Sequence, residues 1–302
     1  MEEAKSQIEN SIAQVRKRDG SISNFNTDKI LTAIYKAFSA SNKPDKELAI
    51  ELSDGVLTKL VEHGFSATNP PSVESIQDLV ESTLIDQGHS DIAKSYILYR
   101  HERRKIREEK MKVLNTKILD TVGKSFDINC LRVLASRYLL RDNKNEINET
   151  PSELFERVAV LVAISDMLRN SELFVAEGGI SQNIEEATEY LKKLDDFNYK
   201  FKIGKYYLNK WHFRCLINCY VDLANQGKMK VPFKELLTMI ASKKLDGYAD
   251  KISEYYELMV SQDFLPNSPT MMNAGGRLGQ LSACFVLAMP DDMEGIMKST
   301  SD

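Results

Sequence analysis

The sequence predicts a mainly α-helical protein in which a small β-hairpin precedes two runs of amphipathic helices. Three observations lead there. Apolar residues recur three and four apart through most of residues 26–168, the period of a helix with one buried face. A single tight-turn signal, Asp19-Gly20, lies between short half-apolar runs near the N-terminus. Further on, Pro266, Pro269, Gly275, Gly276 and Gly279 punctuate a loop that enters Leu281–Met289, an apolar run predicted as a strand buried on both faces.

Taken in order, residues 14–25 form the hairpin. Asn26 caps a first helix with Asp28 in its first turn and Ile30, Ile34, Ala37 and Phe38 on one face. Pro44 starts a second, with Leu48, Leu52, Val56 and Leu60 inward, stopped near Gly64. Ser72 caps a third, with Val73, Ile76, Val80 and Leu84 inward and Gly88 after its end. Ser90 opens a fourth, with Ile92, Tyr96 and Tyr99 inward, which runs into the charge-dense Arg100–Lys112. Alternating Glu and Lys/Arg at i,i+4 spacing reads there as a solvated helical linker rather than a nucleic-acid patch. Beyond it, Leu131, Leu134 and Tyr138 share a face. Thr150-Pro-Ser-Glu153 is a capping box with proline at the first helical position, and its helix turns Leu154, Val158, Leu161 and Leu168 inward. Residues 182–194 read as helix, and 197–210, which alternate aromatics with Lys and Asn, as a short hairpin. The expected domains are 1–110, 111–262 and 263–302.

Composition narrows the function classes. The 302 residues are 42% hydrophobic and 28% charged with a net charge of −4, ordinary for a globular protein and without the basic field that favours nucleic acid or anionic membrane. No run of ~18 apolar residues would span a membrane, and the polar, acidic first ten residues carry no secretory signal. Four cysteines in a chain this long make no disulfide scaffold, so a reducing, cytoplasmic setting is expected.

Three cations in a row, Arg16-Lys17-Arg18, on a tight hairpin make a positive concavity suited to a triphosphate, with Lys29 placed to reach the same side. The stretch from Val15 through Phe25 and Lys29, closed by Ala93-Lys-Ser-Tyr-Ile-Leu-Tyr-Arg100, resembles the ATP-cone, a nucleotide-sensing module. The resemblance implies ATP and dATP as effectors. It assigns Val15, Lys17 and Arg18 to base and phosphates and Lys29 to a phosphate. Ser72 stands where the module often has Thr, and Gln77 where some members have His.

Pro266-Asn-Ser-Pro-Thr-Met-Met-Asn-Ala-Gly275, Gln280-Leu-Ser-Ala-Cys-Phe-Val-Leu287 and Asp291-Asp-Met-Glu-Gly-Ile296 resemble the catalytic subunit of ribonucleotide reductases, most closely the adenosylcobalamin-dependent class II branch. The segments Ser136–Leu140 and Glu149–Ala159 resemble its all-helical N-terminal region. The resemblance implies thiyl-radical reduction of the ribose 2′-carbon, with Cys284 as one half of the reducing dithiol. It further implies Ser268, Thr270, Ser282 and Ala283 at the substrate, Asp291 at the specificity effector, and the first strand of an α/β barrel completed beyond Asp302. A thioredoxin- or glutaredoxin-type reductant, the remainder of the catalytic subunit and a second copy of the chain follow as partners. Two other readings stay open: a stand-alone nucleotide-sensing module, and a class I large subunit served by a radical-generating partner. His212, Cys215 and Cys219 share one helix face, but three ligands on one helix make a poor tetrahedral site, and their neighbours Trp211, Leu216 and Tyr220 are core-type. No metal is expected there.

Overall fold

The computed structural model describes residues 12–177, 179, 182–196, 198, 200–284 and 289–301. The chain divides into two compact units, Met1–Glu109 and Lys110–Asp302.

In the first unit, β1 (Gln14–Arg16) pairs antiparallel with β2 (Ile22–Asn24), Val15 opposite Ser23. Asp19 accepts from the Ser21 amide at 2.9 Å, and Gly20 takes the φ of +83° that the turn needs. Four helices follow: α1 (Asp28–Ala40), α2 (Lys46–Glu62), α3 (Val73–Asp86) and α4 (Ser90–Val113). Their inward residues, Ile34, Phe38, Leu52, Val56, Leu60, Val80, Leu84, Ile92 and Tyr96, form one core. The helix starts differ slightly from expectation. Asn26 makes an Asx turn onto the Asp28 amide, so Thr27 takes the cap position, and Asp45 rather than Pro44 opens α2 by accepting from the Leu48 amide. Tyr99, expected inward, is 52% exposed. The next residue, Arg100, turns to Asp78 and Glu81 on α3, each at 2.7 Å, and Tyr99 lies outward beneath Arg103. The charged run continues α4 as a helix through Val113.

The second unit contains α5 (Thr121–Ser125), α6 (Ile128–Arg137), α7 (Pro151–Leu168), α8 (Glu185–Lys192), β3 (Lys202–Ile203), β4 (Tyr206–Tyr207), α9 (Lys210–Asn225), α10 (Phe233–Ala241), α11 (Tyr248–Val260), α12 (Ser268–Asn273) and α13 (Met293–Ser301). The capping box at Thr150 and Glu153 forms on both sides. Eleven of the fifteen residues of α7 from Leu154 to Leu168 are buried, as expected of a helix that is apolar on most of its circumference; α9, α11 and α12 pack against it. An aromatic cluster fills the space beside it, with Phe201 stacked on Phe213 at 5.3 Å and Tyr220 tilted against Phe233 at 5.0 Å. The hairpin predicted within 197–210 is β3–β4, with Phe197 and Tyr199 outside the described residues.

Two expectations near the end of the chain change. The loop at Asn267-Ser-Pro-Thr270 is instead the start of α12, because Pro269 falls within the first two helical positions, where a missing N–H costs nothing, and Asn267 caps the Thr270 amide. The buried strand over Leu281–Met289 is not formed at residues 281–284. Leu281 is half-buried and Ser282, Ala283 and Cys284 are exposed, and no described strand lies beside them to complete a ladder. Residues 285–288 lie outside the described set.

Candidate functional sites

The hairpin and α3 build the first site. The Arg16 amide donates to the Pro71 carbonyl at 2.9 Å, and Arg16 bridges in parallel to Ser72, so the hairpin edge is tied to the start of α3. Ser72 is the N-cap of that helix, accepting from the Ser75 amide at 3.0 Å. Arg18 then reaches across the same end: Nε meets Glu74 at 2.5 Å and Nη2 meets Gln77 at 3.1 Å. Val15 is half-buried, and Lys17 closes the turn through its amide to Ser21. Lys29 is exposed on the first turn of α1. Four of the six predicted cone residues, Lys17, Arg18, Ser72 and Gln77, thus gather at one hairpin turn and one helix N-terminus, where free amides and the helix dipole favour an anion.

Sequence reading missed Arg107, which it assigned to the solvated linker. Its guanidinium is half-buried, and burial, then the charge of Arg18, lowers its pKa. Two cations are therefore held near each other beside Glu74, an arrangement that attracts a multiply charged anion. The one-turn spacing Arg103–Arg107 was visible in the sequence; the hairpin's proximity was not.

The second site is the Asn267–Cys284 segment. Three side chains at α12 grip the chain that follows: Asn267 Nδ2 and Thr270 Oγ1 donate to the Leu281 carbonyl at 3.1 and 3.2 Å, and Asn273 Nδ2 to the Gln280 carbonyl at 2.8 Å. Thr270 therefore spends its proton on the backbone, and its oxygen remains as an acceptor. Ser268 Oγ lies 3.1 Å from Tyr138 Oη. Ser282, Ala283 and the free thiol of Cys284 extend into solvent. Asp291 is exposed ahead of α13, which its neighbour Asp292 caps by accepting from Gly295 at 2.7 Å; no described contact joins Asp291 to Cys284.

Behind α12 is a buried polar clamp that sequence reading treated only as capping and packing. Arg157, on the core face of α7, pairs with Glu149 at 2.6 Å, the two side chains 5% and 7% exposed. Its remaining N–H groups donate to the carbonyls of Ala274 at 2.5 Å and Tyr138 at 3.1 Å. Glu149 also accepts from the Leu140 amide. His212 Nδ1 accepts from the Asn209 amide at 3.1 Å, so Nε2 carries the proton and donates to the Arg157 carbonyl at 2.8 Å. Burial lowers its pKa from 6.5 to about 4. Asn209 and Arg214 hold the carbonyls of Gly275 and Arg277 at 3.0 and 2.7 Å. The signal in the sequence was an arginine among the apolar residues of α7, without its partners.

A cavity of about 260 Å³ adjoins the clamp, lined in part by Glu149, Glu153, Glu156 and His212; burial, then Glu153, raises the Glu156 carboxyl. His212 uses both ring nitrogens in the core, and among the described residues no group of three or more His, Cys, Asp or Glu is placed to hold a metal ion.

Comparison with known proteins agrees with this division. Residues 13–105 match the ATP cone domain, and residues 124–279 match the family described as ribonucleotide reductase, all-alpha domain. A vitamin B12-dependent ribonucleoside-diphosphate reductase of Thermoplasma acidophilum is 36% identical over 297 residues, covering 95% of this chain and 34% of that protein. A protein of the same description from Mycobacterium tuberculosis is 27% identical over 94% of this chain and 29% of its own. A ribonucleoside-diphosphate reductase subunit alpha of Treponema pallidum is 25% identical over 94% of this chain and 39% of its own. The chain spans about a third of the length of these curated relatives. No described helix is long and apolar enough to cross a membrane. With an ATP cone ahead of the reductase all-α domain, and alignment over nearly all of its residues, the chain belongs to the ribonucleotide reductase family.

Proposed function

We propose that this chain supplies the regulatory and substrate-facing N-terminal part of an adenosylcobalamin-dependent ribonucleoside-diphosphate reductase. ATP and dATP bind at the hairpin–α3 site. The observation that carries the nucleotide reading is Arg18 held over the N-terminus of α3 beside Ser72 and Gln77. There the triphosphate meets Lys17, Arg18 and Lys29, while Val15, Ser72 and Gln77 face the nucleoside.

In the second unit, Ser268, Ser282 and Ala283 contact ribose and diphosphate, with the Thr270 oxygen as an acceptor. Cys284 is one half of the dithiol that gives two electrons to the ribose. The grip of α12 on Gln280 and Leu281 sets where that thiol stands. Asp291 contacts the specificity effector. A thioredoxin- or glutaredoxin-type protein returns the dithiol to its reduced form, and the enzyme works as a homo-oligomer with domains at 1–110, 111–262 and 263–302. Among relatives aligned over nearly all of this chain, the vitamin B12-dependent ones are 36% and 27% identical and the subunit alpha ones 23–25%, which supports the cobalamin branch. Bound cobalamin supplies the initiating radical. The exposed Cys284 segment, with no described strand beside it, forms no seat for cobalamin by itself, and no step is routed through the cofactor.

Calorimetry of the chain with ATP and with dATP tests the first assignment. Binding is expected for both, weakened about tenfold or more in Lys17→Ala and Arg18→Ala by loss of a charge-assisted contact. Absence of heat with either nucleotide removes the assignment. Cys284→Ser in the whole reductase is expected to abolish deoxynucleotide production with ATP binding retained; undiminished turnover would refute its redox role.

A further inference from the structure

The proposed chemistry uses one of the four cysteines, and two of the other three lie together. Cys215 and Cys219 lie one turn apart on α9 with their Sγ atoms 3.8 Å apart, both half-buried and both free. Side chains at i and i+4 hold their Cβ atoms about 5–6 Å apart, whereas a disulfide needs about 3.5–4.5 Å. The helix therefore resists direct closure of an S–S bond. It suits an inserted atom. Two bonds of about 2.3 Å, the length of a zinc–thiolate bond, at angles of roughly 95–110° span about 3.4–3.8 Å.

A structural zinc ion takes four ligands, and no group of three or more His, Cys, Asp or Glu is assembled among the described residues. A centre that is complete with two sulfurs meets no such shortage. We propose that Cys215 and Cys219 form a dithiol site for monosubstituted trivalent arsenic compounds and chemically equivalent thiophilic centres. In the reaction with an arsine oxide, two As–S bonds form and the As=O bond is lost. The oxygen leaves as water with the two thiol protons, and arsenic stays trivalent, so no oxidant or reductant is needed. The pair is set up to begin it. The hydrogen bond between the two sulfurs lowers the Cys219 thiol and, with burial, holds Cys215 up. At neutral pH one sulfur attacks as thiolate and its neighbour follows.

Phenylarsine oxide is the probe, added at one equivalent to the full chain. The titratable thiols are expected to fall from four to two, and the intact mass to rise by one phenylarsenic group. Because no Lys or Arg lies between Cys215 and Lys228, one tryptic peptide holds both sulfurs and should carry the adduct. A small dithiol should remove it and a monothiol should not. Cys215→Ser and Cys219→Ser should each lose it, with Cys130→Ser and Cys284→Ser unaffected. A titre that stays at four, an adduct on another peptide, or retention in Cys215→Ser would overturn the proposal, and the peptide map decides even if a variant fails to fold.

Discussion

Arg157 is a guanidinium inside a largely apolar helix, and four of its five N–H groups donate to Glu149 or a backbone carbonyl. A buried pair adds little over a well-packed apolar substitute, but removing one member strands the other charge. Glu149→Gln and Arg157→Met are each expected to lower the stability of the second unit by about 3–5 kcal/mol, read as a shift in its urea midpoint. His212 supplies a second expectation. Its unfolded imidazole takes up a proton below pH 6.5, but the folded one only near 4. The unfolded chain therefore binds more protons in that window, and stability present above pH 6.5 is lost as the pH falls toward 4. The difference corresponds to about 3 kcal/mol. Urea midpoints at pH 7 and pH 4.5 check it: the acid loss should be smaller in His212→Gln than in the parent, by about 2 kcal/mol because the transition is not complete at pH 4.5.

The elements show how local signals compete with their surroundings. Where the chain itself supplies every partner, as in the capping box of α7 or the Asp19-Gly20 turn, the local pattern and the structure coincide. Thr150→Ala should cost about 1 kcal/mol by thermal melting, the usual loss of a cap. Pro269 was read as a helix breaker, but a proline at the first turn is compatible with a helix, and only the Asn267 cap decides which applies. Gly275 marks the junction between α12 and the clamp. Its φ is +64°, and a Cβ there would lie 2.4 Å from His212 Nε2. Gly275→Ala should therefore destabilise the second unit by about 1–3 kcal/mol or more from backbone strain alone, and the expected readout is a lower melting temperature with nucleotide binding at the hairpin unchanged.

Taken as a whole, the molecule is two compact units with separate cores. On the proposed reading, only the first binds ATP. Calorimetric scans of the full chain should show saturating ATP raising the transition of residues 12–109, with a gain of about 2.7 kcal/mol at a hundred times the dissociation constant. The other transition should stay in place. Arg18→Ala should abolish the shift; an equal shift of both transitions would contradict the assignment.

The sequence by itself determined the helical class, the hairpin, most inward helix faces, the caps at Ser72 and Thr150, and the two family resemblances. Each depends on residues close along the chain or on a contiguous motif. Only the tertiary structure decided that Arg18 meets Glu74 and Gln77 more than fifty residues away, that Arg157 ties Glu149 to Ala274, and that residues 281–284 form no strand ladder. The physical reason is the same in each case. A periodic pattern states that a face or a charge must be satisfied, whereas the partner that satisfies it is chosen by packing between segments distant in sequence.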